Sequence, residues 1–226
     1  MKLKKNHKLI IAADGSAASG KTTGAKLIAK KYGMKFLSSG LLYRYASYLI
    51  LKNKPKNKIS FLKKHFKNLN LSKLERKKLH SPNISTHTSV IAKEQKIRNI
   101  LKLFQKKFAR KYSKVIIEGR DIQTKILPDA DIKFFFKCSL KIAAQRRFKE
   151  LKKKNNNIKF SDVKKAIRIR DNLDKKRKIS PLTQAKNAVI VQSDKLSLKD
   201  MIAKMSKIVE KKISEKYGNR NRLGKN

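Results

Sequence analysis

The sequence predicts an α/β chain of three layers, αβα, around a parallel sheet, and three observations carry that expectation. Short apolar runs rich in β-branched or aromatic residues alternate with helix-sized segments. A Gly-x-x-x-x-Gly-Lys-Thr stretch, residues 15–22, joins the first of those runs to the first helix-forming segment. The chain has 226 residues with 39% hydrophobic content, enough for one large domain with an insertion. No apolar run approaches the roughly 18 residues of a membrane span, so no membrane role is expected.

Taken in order, the expected strands are residues 9–13, 34–37, 114–117, 132–136 and 188–191. Each is four or five residues long, the length and composition of a strand buried on both faces. The expected helices are residues 21–32, 41–52, 95–112, 140–153, 160–172 and 198–215. Residues 53–93 interrupt the alternation with a Lys/Asn-rich loop and short helical pieces, and are expected to be an inserted acceptor-binding region. Residues 216–226 hold too few apolar groups to fold and are expected to form a disordered basic tail. The core is then residues 8–52 and 94–215.

The loop at the first strand–helix junction carries the clearest chemistry. Its backbone N–H groups, leading into a helix N-terminus, form a nest for polyphosphate. Gly15 and Gly20 allow backbone angles and close approach that a Cβ would block, while Ala17, Ala18 and Ser19 keep the loop narrow. Lys21 can reach β- and γ-phosphates as a point charge, and the hydroxyl of Thr22 or Thr23 can face a Mg²⁺ that bridges them. ATP-binding is therefore expected of Gly15, Ser16, Ala17, Ala18, Ser19, Gly20, Lys21, Thr22 and Thr23. The reaction class is phosphoryl transfer or nucleoside triphosphate hydrolysis; the motif alone names no acceptor.

Lys and Arg number 61 against 15 Asp and Glu, a formal charge of +46. Such a balance raises the question of nucleic acid. The charge is spread along the chain, lysine dominates, and it is mixed with Asn and Ile, so it is expected to be a solvated coat with non-specific RNA binding only at low salt. No aromatic stacking platform and no Asn-Lys-x-Asp guanine-reading segment occurs, which disfavours a polynucleotide-stimulated ATPase and a GTPase. The positive N-terminus lacks a signal-peptide core, because Asp14 interrupts the apolar stretch; with the single cysteine, Cys138, this favours the cytoplasm. Cys138 is expected to be inert packing, and a monomer is the default.

Only 12 of the basic residues are arginine, and a scarce arginine marks a place where a planar, bidentate fork matters. Arg44 follows Ser38-Ser39-Gly-Leu-Leu-Tyr43, Arg98 lies in Gln-Lys-Ile-Arg, and Arg120 directly follows a strand end in Glu-Gly-Arg-Asp121. Beyond them come Arg146-Arg147 and the group Arg168, Arg170 and Arg177, which shares its segment with Asp171 and Asp174. Ligands of open α/β sheets bind at the carboxyl ends of strands, where several of these fall.

With GSAASGKT at 15–22, SGLLYR at 39–44, SVIA at 89–92, IR at 97–98, GRDIQT at 119–124, PDADIK at 128–133, RR at 146–147 and RDNLDKKR at 170–177, the chain resembles the bacterial cytidylate kinases, nucleoside monophosphate kinases of the P-loop fold. The resemblance spans residues 10–208 and implies a five-stranded parallel sheet, a small acceptor-binding insert and a lid at about 146–178. It implies transfer of the γ-phosphate of ATP, with Mg²⁺, to CMP or dCMP. Ser89, Arg98 and Asp121 match the residues that read the cytosine edge, and Arg170 and Asp174 those that contact the sugar. Ser39, Arg44, Arg120 and Arg177 match the groups that hold the acceptor phosphate, and Arg146 and Arg147 the lid arginines. Lys21, Arg120, Arg146, Arg147 and Arg177 form the implied catalytic set. The alternative that keeps the fold is another small-molecule P-loop kinase. Departures from the family pattern are Ser38 for an acidic residue, Gln123 for glycine, Ser16 and Ala18 for proline and glycine, and a shorter insert.

Overall fold

The computed structural model describes residues 7–71, 74, 79–153 and 156–218. Five parallel strands form one sheet: β1 (Leu9–Gly15), β2 (Lys35–Ser38), β3 (Lys114–Gly119), β4 (Ile132–Lys137) and β5 (Val189–Gln192), in the order β2-β3-β1-β4-β5. The helices among the described residues are α1 (Lys21–Tyr32), α2 (Ser39–Asn53), α3 (Lys58–Lys67), α4 (Pro82–Ile91), α5 (Gln95–Lys111), α6 (Leu140–Lys152), α7 (Phe160–Lys176) and α8 (Leu198–Tyr217).

The two-residue period of the strands divides the core between the sheet's faces. Leu9, Ile11, Ala13 and Ile116 pack with Ile28 of α1 and Met205 and Val209 of α8. Ala12, Val115 and Ile117 pack on the opposite face with Leu42 and Ala46 of α2 and Ile97 and Leu101 of α5. Burial on both faces is why these strands read as unbroken apolar runs rather than alternating ones. α1 stops at Gly33, which takes a left-handed φ of 62° and returns its N–H to the carbonyls of Ala29 and Lys30.

The insert is more helical than its composition suggests. Asn57 caps α3 by accepting from the N–H groups of Ile59 and Ser60, and Ser81 with Pro82 starts α4. Leu62, Phe66, Leu74 and Ile91 join the core of α2 and α5, so the insert extends the main core.

The C-terminal boundary moves. α8 runs through Tyr217, so the first two residues of the tail expected from residue 216 are helical. Lys216 pairs with Asp131 at 2.7 Å, and the Tyr217 ring stacks on His7 with centroids 4.0 Å apart. The remainder of that expected tail, residues 219–226, lies outside the described residues. Among the described residues no helix is long and apolar enough to cross a membrane.

Candidate active site

The carboxyl ends of β1, β3 and β4 converge, and there the sheet delivers its polar residues. Gly15 ends β1 opposite Phe136 of β4, and an added Cβ would stand 2.5 Å from the Phe136 carbonyl oxygen, so only glycine fits at this crossing. The loop that follows closes on itself. The Ser19 hydroxyl donates to the Ser16 carbonyl at 2.9 Å, and Lys21 Nζ folds back to the same oxygen at 3.2 Å. Gly20 sits at φ 77° as the N-cap of α1, and Ala18 is held at φ 51°, a left-handed conformation that costs a residue with a Cβ about 1–2 kcal/mol. Thr22 and Thr23, on the first turn of α1, are exposed at the mouth.

Asp14, the residue before Gly15, has no solvent exposure and accepts the backbone N–H groups of Ile122 and Gln123 at 3.0 and 2.8 Å. Burial pushes its carboxyl up to about 7, against the opposing effect of those hydrogen bonds. It thereby joins the phosphate-loop strand to a five-residue π-helical turn, Ile122–Ile126, directly after Asp121. Gln123 completes the joint: its side-chain amide donates to the Phe134 carbonyl at 3.2 Å and accepts from the Ala185 N–H at 3.0 Å. The larger residue in a glycine's place thus serves as an internal bracket between β4 and the segment after α7.

Past β3 lies a network of alternating charge. Arg98 of α5 donates to Asp121 at 2.5 Å and to the Ala92 carbonyl at 3.0 Å. Arg120 donates through Nε to Asp174 at 2.8 Å, and Arg177 meets Asp174 at 3.4 Å and Asp121 at 4.0 Å. Burial works against the Arg120 charge, yet Asp174 raises its pKa; the same contact, with burial opposing it, lowers that of Asp174. Arg177 Nη2 is buried with no hydrogen-bond partner among the described residues, its nearest ion-pair partner being Asp121 at 4.0 Å. Beside this network is a cavity of about 350 Å³ lined by Tyr43, Arg98, Asp121, Lys102, Lys125 and Ser180. Arg98 also lies over the Tyr43 ring, 5.6 Å from its centre.

A second group of cations is less compensated. Burial, then repulsion from Arg170, Arg147 and Arg120, lowers the pKa of Arg44 to about 10. Arg44 is fixed by bonds to Ser85 Oγ at 2.7 Å and the Leu79 carbonyl at 3.2 Å. The Arg170 guanidinium makes no hydrogen bond or close ion pair among the described residues, and burial followed by Arg120 lowers its pKa. Lys21 is driven down to about 7 by burial first and Arg120 second. Gathering buried cations with so few carboxylates is unfavourable unless an anion joins them.

The remaining expected residues are distributed around this centre. Ser39 opens α2 and packs on Gly119, where an added Cβ would stand 3.1 Å from the serine Cβ. Ser38 is the N-cap of α2, accepting from Leu41, and its hydroxyl donates to the buried Glu118. Ser89 stands on α4 with its hydroxyl turned to the Ser85 carbonyl at 3.5 Å, and no hydrogen bond joins it to Arg98 or Asp121. Arg146 and Arg147 part company. Arg146 donates to the Ser193 hydroxyl and carbonyl at 3.1 and 2.7 Å, beside Gly20, whereas Arg147 pairs with Glu150 at 2.9 Å near the arginine cluster. Cys138 is half-buried with its sulfur 3.8 Å from Arg146, and burial raises its pKa, as suits an unreactive thiol. Tyr43, Asp14 and Asp171 belong to the centre although sequence reasoning gave them no role. An acid at the end of an apolar strand was the visible sign of Asp14.

A family model described as cytidylate kinase matches residues 11–211. The chain belongs to the cytidylate kinase family. It is therefore a nucleoside monophosphate kinase, a phosphotransferase. Cytidylate kinase from Clostridium tetani is 34% identical over 93% of this chain and 98% of its own length, and that from Thermosipho melanesiensis 36% identical over 89% and 97%. Shikimate kinase from Bacteroides thetaiotaomicron superposes with a TM-score of 0.50 at 13% identity, over 89% of this chain and 98% of that one, a likeness of fold.

The strain at Ala18 sets a test of the loop geometry. Ala18→Gly is expected to raise the unfolding free energy by about 0.5–1 kcal/mol, read from urea denaturation, because glycine takes this φ freely. An unchanged or lower midpoint would contradict the left-handed assignment.

Proposed function

We propose that this member of the cytidylate kinase family transfers the γ-phosphoryl group of ATP to CMP or dCMP, with the residues 15–23 loop holding the donor and the Arg98–Asp121 cleft holding the acceptor base. The observation that carries the reading is the buried Arg98–Asp121 pair beside the cavity next to Tyr43. A guanidinium and a carboxylate side by side present donors and an acceptor together, which matches a cytosine edge. Uracil, with an N3–H donor and an O4 acceptor where cytosine has an N3 acceptor and an N4 amino donor, would leave buried groups unpaired.

The reaction needs little covalent help. The attacking oxygen belongs to a phosphate already anionic at neutral pH, so no strong base is required. The difficulty is repulsion between two polyanions, and the cleft answers it with cations. Arg44, Arg120 and Arg177 would hold the acceptor phosphate, with Ser39 beside them. Arg170 and Asp174 would engage the sugar hydroxyls, with Ser89 completing the base site. Lys21 and Arg147 would stabilise charge on the transferring group, while Arg146, bonded to Ser193 beside Gly20, would bound the donor side. A Mg²⁺ would find a hard oxygen donor in the exposed hydroxyl of Thr22 or Thr23. No group of three or more His, Cys, Asp or Glu side chains among the described residues could form a separate metal cage. Held at that hydroxyl beside the bound nucleotide, such an ion would supply neutralisation of the triphosphate charge.

A coupled assay of ADP release, with ATP and Mg²⁺ at about 0.15 M salt to screen the lysine coat, tests the reading. Turnover is expected with CMP and dCMP and not with UMP, AMP, GMP or polyuridylate. Release with polyuridylate alone would overturn it. In the same assay Asp121→Asn is expected to raise KM for CMP about tenfold or more and to move KM for ATP less than about twofold.

Lys21 gives a pH signature. Its pKa is about 7 in the free protein, and an adjacent polyphosphate returns it toward its ordinary range. At pH 8 the free lysine is mostly neutral and the bound one charged, so ATP binding takes up close to one proton. Affinity falls up to about tenfold per pH unit above 7, and below about pH 6 this contribution vanishes. Calorimetry in buffers of different ionisation enthalpy reads the uptake, and Lys21→Met abolishes it.

A further inference from the structure

α7 carries Arg170, Asp171 and Asp174 on the face that looks into the cleft, while Asn172, Leu173, Lys175 and Lys176 are exposed. The three functional groups do different things within one rigid turn. Asp174 accepts from Arg120 on the acceptor side at 2.8 Å, and Arg170 lies in the arginine cluster. Asp171 reaches the other way: its Oδ1 accepts the backbone N–H of Ala17, inside the phosphate loop, at 2.8 Å. Beneath that bond the Ala17 methyl packs with Ala144 of α6 and Val163 and Ile167 of α7, a small apolar core separate from the main ones.

The geometry points to Asp171 as a positioning residue: it clips α7 to the phosphate loop, so that occupancy of the donor loop sets where Arg170 and Asp174 stand and couples the two nucleotide sites. The inference rests on the donor and acceptor assignment made above. A charge-assisted bond from a carboxylate to a backbone N–H is among the stronger ones available, and it is directional. Asp171 and Asp174 are less than one helical turn apart, about 4.5 Å along the axis, so a shift at one is transmitted to the other with little room for slack. Arg120 and Arg170 feel the Asp171 charge as well, which makes the clip a partner of the cluster and not an isolated contact. No other carboxylate is bonded to the backbone of residues 15–20 among the described residues.

The test is the dissociation constant of CMP measured with and without saturating adenylyl imidodiphosphate and Mg²⁺, for wild type, Asp171→Ala and Asp171→Asn, with the thermal midpoint of each. The wild-type ratio is expected to exceed about tenfold, and D171A to lose most of it. The asparagine oxygen still accepts from the Ala17 N–H, so D171N is expected within about threefold of wild type. A D171A ratio equal to wild type would overturn the inference, as would tighter analogue binding at an unchanged ratio, which would make Asp171 a competitor of the phosphate. Equal loss in both variants would assign the effect to charge and not to the bond, and overturn it too. A purely structural role would lower the midpoint without changing the ratio. Wild-type protein that fails to bind CMP would instead defeat the functional reading itself.

Discussion

The repulsion among buried cations is the constraint around which this molecule is arranged. Lys21, Arg44, Arg120, Arg147 and Arg170 approach one another where three strands end, and Asp174, Asp171 and Glu118 are the acids that face them. Burial first, and repulsion from neighbouring arginines second, depress the pKa values of Lys21 and Arg44. A folded protein tolerates such an arrangement when the surrounding packing over-determines it. Here the packing comes from two full cores, one on each face of the sheet.

How the cations are held decides what they can do. Arg44 and Arg98 are each anchored by a backbone carbonyl as well as a side chain, so their forks are oriented before any ligand arrives. Asp14 and Gln123 fix the turn beneath Asp121, tying it to β1 and β4. A site built this way avoids reorganisation during the reaction, the condition under which electrostatic stabilisation is most effective. The Arg170 side chain, by contrast, has no such anchor among the described residues and is carried by α7, itself held by Asp171 and Asp174.

Much of the fold was legible because both of its periodicities are strong. Every expected strand and helix of the core appears within a few residues of its expected bounds, since the strands are apolar throughout and the helices carry clear stops such as Gly33. The π-helical turn at Ile122–Ile126 was not legible: it arises from two N–H groups captured by Asp14, more than a hundred residues earlier in the chain. For the same reason α7 runs four residues beyond its expected end, through Lys176, because Asp174 and its neighbours gain partners from distant elements. In the candidate site the scarce arginines were the readable sign. Arg44, Arg120, Arg147 and Arg170 do gather, but Ser89 is turned to its own helix and Arg146 is committed to Ser193. Side-chain direction of that kind depends on which neighbour offers a carbonyl, and local sequence does not record it. The same holds for Asp171, whose partner is a backbone amide with no residue identity to recognise.

The central proposal is that the clustered cations hold phosphate oxygens. The most direct measurement is the thermal unfolding midpoint in pyrophosphate and in chloride at matched ionic strength, for wild type and for Arg170→Met. A specific site predicts a midpoint several degrees higher in pyrophosphate for wild type, and an increment sharply reduced in the variant. Equal increments in the two proteins would assign the effect to the lysine coat and contradict the claim.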